Sequence, residues 1–382
     1  MLSIQQHKYS VLYSAILGLG LLLGAPSFAA TEADQSSAVI FVYQRIDEDS
    51  IPRSSISIEQ FKEHIKEFKA GGYKVLPLNK IIDALKDGDT LPAKTIGITF
   101  DGGYVSTLNN AVPLLDEAEL PYTIFFSSDM ADSASPTHMT WAQLKSLKKN
   151  KNATLGILPS AYAHMVGQTA PQNAAMINKA LARYKEQFGE DPAFFSYPYG
   201  EYSAEVKKQL GAYSFKAVFA SQSGVVHDKS DFLALPRFIM TDNFGDLERF
   251  RLTANALPLP VSDVMPEDML LKENPPIIGF TVAPELSLSK LSCFASGIGK
   301  LDVTKPGGGR AEIRLKGPLE DRRTRINCTL PDDTVIPGQP QSWRWFGLQL
   351  IVPDYGDDSE ETAPAGAPEE QDDDTSANPG EE

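Results

Sequence analysis

Histidine is scarce in this 382-residue chain: five occur, and none follows His227. A metal centre or an acid–base pair built on imidazoles therefore has few positions to draw on. Cysteine is scarcer still. Cys293 and Cys328 stand alone, with no histidine near either, which argues against a cysteine-based zinc site. In an oxidising compartment such a pair reads as a structural disulfide, worth about 3 kcal/mol in the chain-entropy view. No apolar run is long enough for a comfortable membrane span. The candidate, Val11 to Gly24, follows His7 and Lys8 and precedes Ser27, Phe28 and Ala29, the pattern of a cleaved export signal over residues 1–29. No cysteine adjoins that cleavage site, which argues against a lipoprotein anchor. The expectation is an exported protein, periplasmic or extracellular, with no transmembrane anchor once mature.

Excess basic charge is absent too. Thirty-five Lys and Arg face fifty Asp and Glu, a formal charge of −15. Asp354 to Glu382 holds twelve acidic residues and no Lys or Arg, so setting that tail aside leaves only −3 on the remainder. The remainder makes no electrostatic case for nucleic acid, and the tail argues against it. Rich in Pro, Ala, Gly and Ser, the tail cannot bury a core and is predicted to be disordered, with no partner legible from its sequence. No nucleophile elbow, Walker loop or dinucleotide fingerprint occurs.

What the chain does have is alternation. From Ala38 to about Phe219, short apolar strands alternate with amphipathic helices, the mark of an α/β sheet or barrel. Strands are predicted at Ala38–Tyr43, Tyr73–Leu76, Thr95–Phe100, Tyr122–Ser127, Thr154–Leu158, Ala193–Tyr197 and Phe215–Ala220. Helices are predicted over residues 58–70, where Ile58, Phe61, Ile65 and Phe68 keep helical spacing, and over 81–85, 107–118, 141–147, 173–188 and 204–210. From about Pro275 the texture changes to short strands between Gly, Pro and Asp turns, which reads as a small β-sandwich. The proline-rich stretch from Leu257 to Pro276 reads as a linker.

The segment Ile96–Tyr104, IGITFDGGY, runs an apolar strand into a bare aspartate, Asp101, and a two-glycine turn. One carboxylate at the end of a buried strand is where open α/β sheets and barrels put their chemistry. The segment resembles the first motif of the polysaccharide deacetylases (the NodB-homology, or carbohydrate esterase 4, family), usually TFDDGY. That resemblance covers roughly Val39 to Phe250. It implies a distorted (β/α) barrel over residues 30–260, followed by a linker at 261–275, a β-rich domain at 276–353 and the tail at 354–382. It also implies an acetylated envelope or extracellular polysaccharide as substrate, and a divalent, zinc-like metal.

Hydrolysing an acetamide calls for a metal to polarise the carbonyl, a base for the attacking water, and donors for the oxyanion. The resemblance makes Asp101 the base, while the metal-binding second Asp is replaced by Gly102. The two-histidine motif falls in register on Leu158 and Tyr162. A two-residue slip gives Ser160 and His164, so His164 is the single candidate metal ligand. Many relatives read Y-H-R after the first strand; here it is Tyr43-Gln44-Arg45. The segment FFSYPYGEY matches the third motif with Ser196 in place of its arginine, and assigns the oxyanion donor to the backbone N–H of Tyr199. Asp231 and Arg237, in DFLALPRF, resemble the fourth motif, in which an Asp steadies the base through an arginine. The late histidine acid of the fifth motif is missing. Tyr104, Tyr197 and Tyr202 are candidates for sugar stacking. Of the other histidines, His227 is expected to be exposed in a polar loop, and His64 to lie at the edge of a helix. His138 has no ligand partner in view.

Three expected site residues thus give way to Gln44, Gly102 and Leu158, which points to a degenerate metal site. Two classes of function stay open: a hydrolase removing acetyl groups, and a carbohydrate-binding pseudoenzyme. Glycoside hydrolysis needs two carboxylates across a cleft, and Asp101 has no evident partner for it.

Overall fold

The computed structural model describes residues 34, 36–334 and 341–353. The expected signal peptide and acidic tail lie outside them. Six parallel strands run in the order β1 (Ser37–Tyr43), β2 (Thr95–Gly102), β3 (Tyr122–Phe126), β4 (Ala153–Ile157), β5 (Phe194–Ser196) and β6 (Ala217–Phe219). A short seventh, β7 (Phe238–Ile239), pairs with the free side of β1. The gap between β6 and β7 is bridged by a single pairing, Phe219 with Leu235, whose N–H donates to the Val218 carbonyl. The ring closes on that thin seam, giving a distorted (β/α) barrel. Every residue of β2 is buried, as a near-continuous apolar strand in a parallel sheet should be.

The helices form close to where apolar spacing placed them. Ser57 caps α1 (Ile58–Ala70), accepting from the Gln60 N–H, and Phe61, His64, Ile65 and Phe68 form its buried face. Thr169 and Gln172 build a capping box at the start of α2 (Ala170–Phe188), and Gly189, at φ 74°, ends it in the left-handed conformation. The helix expected over 107–118 divides into one π-type turn, Thr107–Ala111, and an α-helical stretch, Val112–Glu117.

The rest of the described chain builds a second sheet of eight strands. They are β8 (Leu257–Pro258), β9 (Val261–Met265), β10 (Ile278–Val282), β11 (Ser292–Ala295), β12 (Gly299–Gly307), β13 (Arg310–Arg314), β14 (Arg323–Pro331) and β15 (Trp343–Ile351). Their spatial order is β8-β15-β14-β11-β12-β13-β10-β9. The first residues of β12 pair with β11 and the later ones with β13, so this strand carries the sheet round a shared apolar interior containing Phe280, Ile313 and Leu350. Cys293 and Cys328 face each other in register on β11 and β14 and are joined. The stretch read as a linker differs from expectation. It supplies β8 and β9, and Leu271 beyond them donates its N–H to Ile351. Proline density marked edge strands here rather than a tether.

The second sheet is seated on the barrel through β15. Trp345 enters the barrel's own core and meets Phe238 edge-on at 5.2 Å. Gly347 lies against the backbone of Ser223, so close that a Cβ there would stand 2.2 Å from the Ser223 carbonyl oxygen. Arg344 is paired with Asp34 at 2.7 Å.

Candidate functional site

Asp101 ends β2 inside the barrel, and three elements converge on it. Arg237, just ahead of β7, donates from Nη1 to Oδ1 at 2.8 Å and from Nη2 to Oδ2 at 2.7 Å. Ser196, the last residue of β5, donates its hydroxyl to Oδ2 at 2.8 Å and accepts from Arg237 Nη2 at 2.8 Å. Arg237 also donates from Nε to the Ala220 carbonyl and from Nη1 to Thr99 Oγ1. Its guanidinium lies 5.7 Å from the ring centres of both Phe125 and Phe219. The side chain of Arg237 is 0% exposed and that of Asp101 4%. This is a fork-to-fork pair in a buried, aromatic-walled interior, where removing one partner strands a charge at a cost of about 3–5 kcal/mol.

A general base must come within hydrogen-bond reach of the water it activates. Both Asp101 oxygens are engaged by Arg237, and one also by Ser196, and the side chain is buried. The pairing also differs from the expected one. Arg237 holds Asp101 without Asp231, which instead bonds Lys207 at 2.7 Å on the outside and caps the turn at Leu233. The guanidinium lost from the third motif at Ser196 is supplied across the barrel by Arg237.

The metal positions are filled in other ways. Gly102 has φ 105°, and a Cβ on it would stand 2.2 Å from Tyr104 Cε2. Thus the ring of Tyr104 takes the space a ligand side chain would need. Arg45 lies 3.7 Å above that ring and His138 packs at 4.8 Å from it. Leu158 is 0% exposed, in an apolar cluster with Phe125 and Phe219. Gln44 is tied through its backbone carbonyl to Thr107 Oγ1 at 2.7 Å. Among the described residues, no three His, Cys, Asp or Glu stand together as a ligand set. These donors do not fit a divalent ion.

His164, the one candidate ligand, meets a carboxylate that sequence reading passed over. Its Nδ1 lies 2.8 Å from Glu201 Oε2, and its ring stacks on Tyr199 at 4.1 Å. Glu201 follows the third motif, and its side chain is 0% exposed. Arg322 bonds both of its oxygens at 3.3 Å, and Arg323 Nε lies 3.6 Å from Oε1. Burial pushes the Glu201 carboxyl up, but the hydrogen bonds from His164 and Arg322 outweigh it and hold it below its usual value. The signal was present as a lone charged residue inside the aromatic run FFSYPYGEY. What it meets, 121 residues later, was not.

Tyr199 sits at φ 56° in the left-handed region, a conformation uncommon in residues with a side chain. Its carbonyl accepts from Gln349 Nε2 of β15 at 3.1 Å. The proposed stacking rim is corrected by the fold. Tyr104 and Tyr197 are buried, Tyr197 donating its hydroxyl to the Leu233 carbonyl at 2.9 Å, and Tyr202 packs on Tyr197. Two histidines also differ from expectation. His64 is fully buried, receiving the Tyr43 hydroxyl at Nδ1 and donating from Nε2 to the Gly245 carbonyl; burial lowers it to about 4. His227 is half-buried rather than exposed.

Residues 88–218 match the family described as polysaccharide deacetylase. Over those residues the barrel resembles a divergent member of that family. The poly-β-1,6-N-acetyl-D-glucosamine N-deacetylase of Escherichia coli K12 is 21% identical over 231 residues, covering 50% of this chain and 34% of its own length. The chain therefore spans about a third of that relative. Among solved structures, the Streptococcus pyogenes deacetylase PplD in complex with acetate superposes with a TM-score of 0.53 at 18% identity, over 57% of this chain and 98% of that one. IcaB from Ammonifex degensii gives 0.51 at 21% identity, over 58% and 97%. At these identities the likeness is one of fold. Against that fold, this barrel keeps the aspartate of the first motif and the turn of the third, and has Gly102 and Leu158 where the resemblance expects metal ligands. Among the described residues no helix is long and apolar enough to cross a membrane.

Proposed function

We propose that this protein is an exported, polysaccharide-directed member of the deacetylase family in which the barrel engages glycan without hydrolysing it. The polysaccharide is one of the cell envelope or the extracellular matrix, in keeping with the family and with the signal-like N-terminus. One observation carries the lapse of catalysis: both oxygens of the would-be base, Asp101, are engaged by Arg237, one of them also by Ser196, and its side chain is buried. Tyr104 standing where a metal ligand at position 102 would project supports the same reading. Without a metal to polarise the acetyl carbonyl and activate water, oxyanion donors supply only a fraction of the rate.

A second reading, acetyl hydrolysis with Asp101 as base and the Tyr199 N–H as oxyanion donor, is favoured by one feature. The turn Pro198–Gly200 is kept, with Tyr199 in a strained left-handed conformation. Acetate release separates the two. Purified full-length protein, supplied with zinc, nickel or cobalt, is incubated with poly-β-1,6-N-acetylglucosamine and with O-acetylated glycan while bound metal is measured by elemental analysis. The expected result is no acetate and no stoichiometric metal. Acetate release abolished by Asp101→Asn would overturn the non-hydrolytic reading.

A further inference from the structure

We propose that the acidic C-terminal segment of this chain docks on the barrel, in the groove between α1 and the helical stretch Val112–Glu117. The proposal is independent of the glycan reading above. The groove holds about 230 Å³. Its α1 wall consists of Ile65 with Lys62, Lys66 and Lys69, and the facing wall of Leu114, Glu117 and Ala118. Ile65 is buried and Leu114 and Ala118 are half-buried, while the three lysines are exposed. The lysines recur at i, i+4 and i+7, which sets them on one stripe about 10 Å long. Glu59, Glu63 and Glu67 recur at i, i+4 and i+8 on the neighbouring stripe, and Glu67 is paired with Arg251 at 2.8 Å. The six charges sum to zero along the helix but are segregated across it. Lys148, Lys179, Lys207 and Lys216 each meet an acid elsewhere on the barrel. Among the described residues, no ion pair is formed by Lys62, Lys66 or Lys69.

Apolar lining beside a lysine stripe suits a chain that carries small apolar residues next to carboxylates. The C-terminal segment is built that way. Ala363 to Pro368 reads APAGAP, and Glu369 to Asp374 reads EEQDDD, with no Lys or Arg from Asp354 onward. Extended, the six residues of that acidic block run roughly 20 Å, enough to set a carboxylate against each lysine of the stripe. Reach permits it. The described chain ends at Pro353, past the Val352 N–H that donates to the Arg322 carbonyl. From there an extended chain spans about 50 Å by Glu369, about the width of a folded body of this size. Surface ion pairs are individually weak. A tethered ligand, however, acts at an effective concentration on the order of mM, so contacts too weak to retain a free peptide retain one in cis. Charge attraction reaches about 10 Å in 0.1 M salt and about 3 Å in 1 M, so docking holds in dilute buffer and fails in concentrated salt.

The test labels the lysines of full-length protein by brief reductive methylation, read residue by residue by mass spectrometry. The comparison is a full-length variant carrying Glu369→Gln, Glu370→Gln, Asp372→Asn, Asp373→Asn and Asp374→Asn, which leaves the barrel and second sheet untouched. In dilute buffer Lys62, Lys66 and Lys69 should react about threefold more slowly in the wild type than in the variant. In about 1 M salt that difference should vanish. Lys80 and Lys300, exposed lysines outside the groove lining, should react alike in both proteins. Carbodiimide, which joins a carboxylate to an amine in contact with it, gives a second readout on a mixture of isotopically heavy and light protein. Cross-links should join the 369–374 block to the three groove lysines within one chain. Cross-links between heavy and light chains make the occupant a second copy's segment and overturn docking in cis. Cross-links spread evenly over Lys80, Lys300 and the groove lysines overturn the groove. Equal methylation of the groove lysines in both proteins, or no cross-link to any of the three, overturns the proposal outright.

Discussion

Two carboxylates near the barrel mouth, Asp101 and Glu201, each meet arginine, and they do so in opposite ways. Asp101 is held by a partner from its own barrel, inside a shell in which neither side chain is more than 4% exposed. Glu201 is held by partners from another domain, with an equally buried carboxylate but cations that reach solvent. Arg237 meets Asp101 in a short two-pronged fit, whereas the Glu201 contacts to Arg322 run at 3.3 Å. The first arrangement closes a barrel whose last seam is otherwise a single bridge pairing. The second fastens one domain to another through side chains that keep a solvent edge. In the proposed non-hydrolytic reading the aspartate retained in sequence serves as an interior strut, while an unmarked glutamate ties the barrel to the second sheet.

The comparison breaks most sharply at Arg237. Arg237→Met should cost about 3–5 kcal/mol in urea unfolding because it strands Asp101 in the interior. Adding Asp101→Leu should recover much of that loss, since an apolar pair of similar volume has no charge to desolvate. If the double variant stays as unstable as the single, the strut account fails.

Glu201→Gln should cost less, about 1–3 kcal/mol, because a hydrogen-bonded amide remains in place of the charge. The Glu201 carboxyl is held below its ordinary 4.5. Its ionic contribution is therefore present in full above the unfolded value near 4.5 and is lost as pH falls through the lower folded value. The stability gap between wild type and Glu201→Gln should be constant at neutral pH and shrink below about 4.5 in acid denaturation. A gap that widened on acidification would contradict the pairing with His164 and Arg322.

The mildest test restores a ligand. Gly102→Asp should fail to create metal binding by calorimetry and should destabilise by about 1–3 kcal/mol, since φ 105° disfavours a side chain and Tyr104 already occupies the space. Zinc binding by this single variant at micromolar affinity would show that the site was one substitution from function, and would put the Asp101 comparison in doubt.

Much of the barrel was legible because its signals are local. Apolar alternation set the strands from Ala38 to Phe219 and helical spacing set the helices, although the long helix begins at Ala170, capped by Thr169, three residues ahead of its expected start. Substitutions at Gln44, Gly102 and Leu158 could be seen against the family pattern, and the geometry puts Tyr104 in the space beside Gly102 and Leu158 in an apolar cluster. Less legible was everything depending on partner choice. Asp231 and Arg237, six positions apart, read naturally as a pair, yet Arg237 points into the barrel and Asp231 out of it. The tyrosines read as a rim because side-chain chemistry does not reveal which way a strand-end loop turns. Proline between 257 and 276 read as a tether because an edge strand and a linker share the same composition.

By itself, then, the sequence determined the order and period of the elements, the aspartate near the end of β2, and the presence of Gln44, Gly102 and Leu158 where the family pattern has other residues. These follow from spacing over a few residues. Tertiary structure decided that Asp101 meets Arg237 and Ser196, 136 and 95 residues away, that Tyr104 fills the void beside Gly102, and that Glu201 gathers Arg322 and Arg323 from a second domain. The physical reason is that a buried charge takes whichever counter-charge ring closure and domain docking bring within reach. That choice is made only when strands distant in sequence become neighbours.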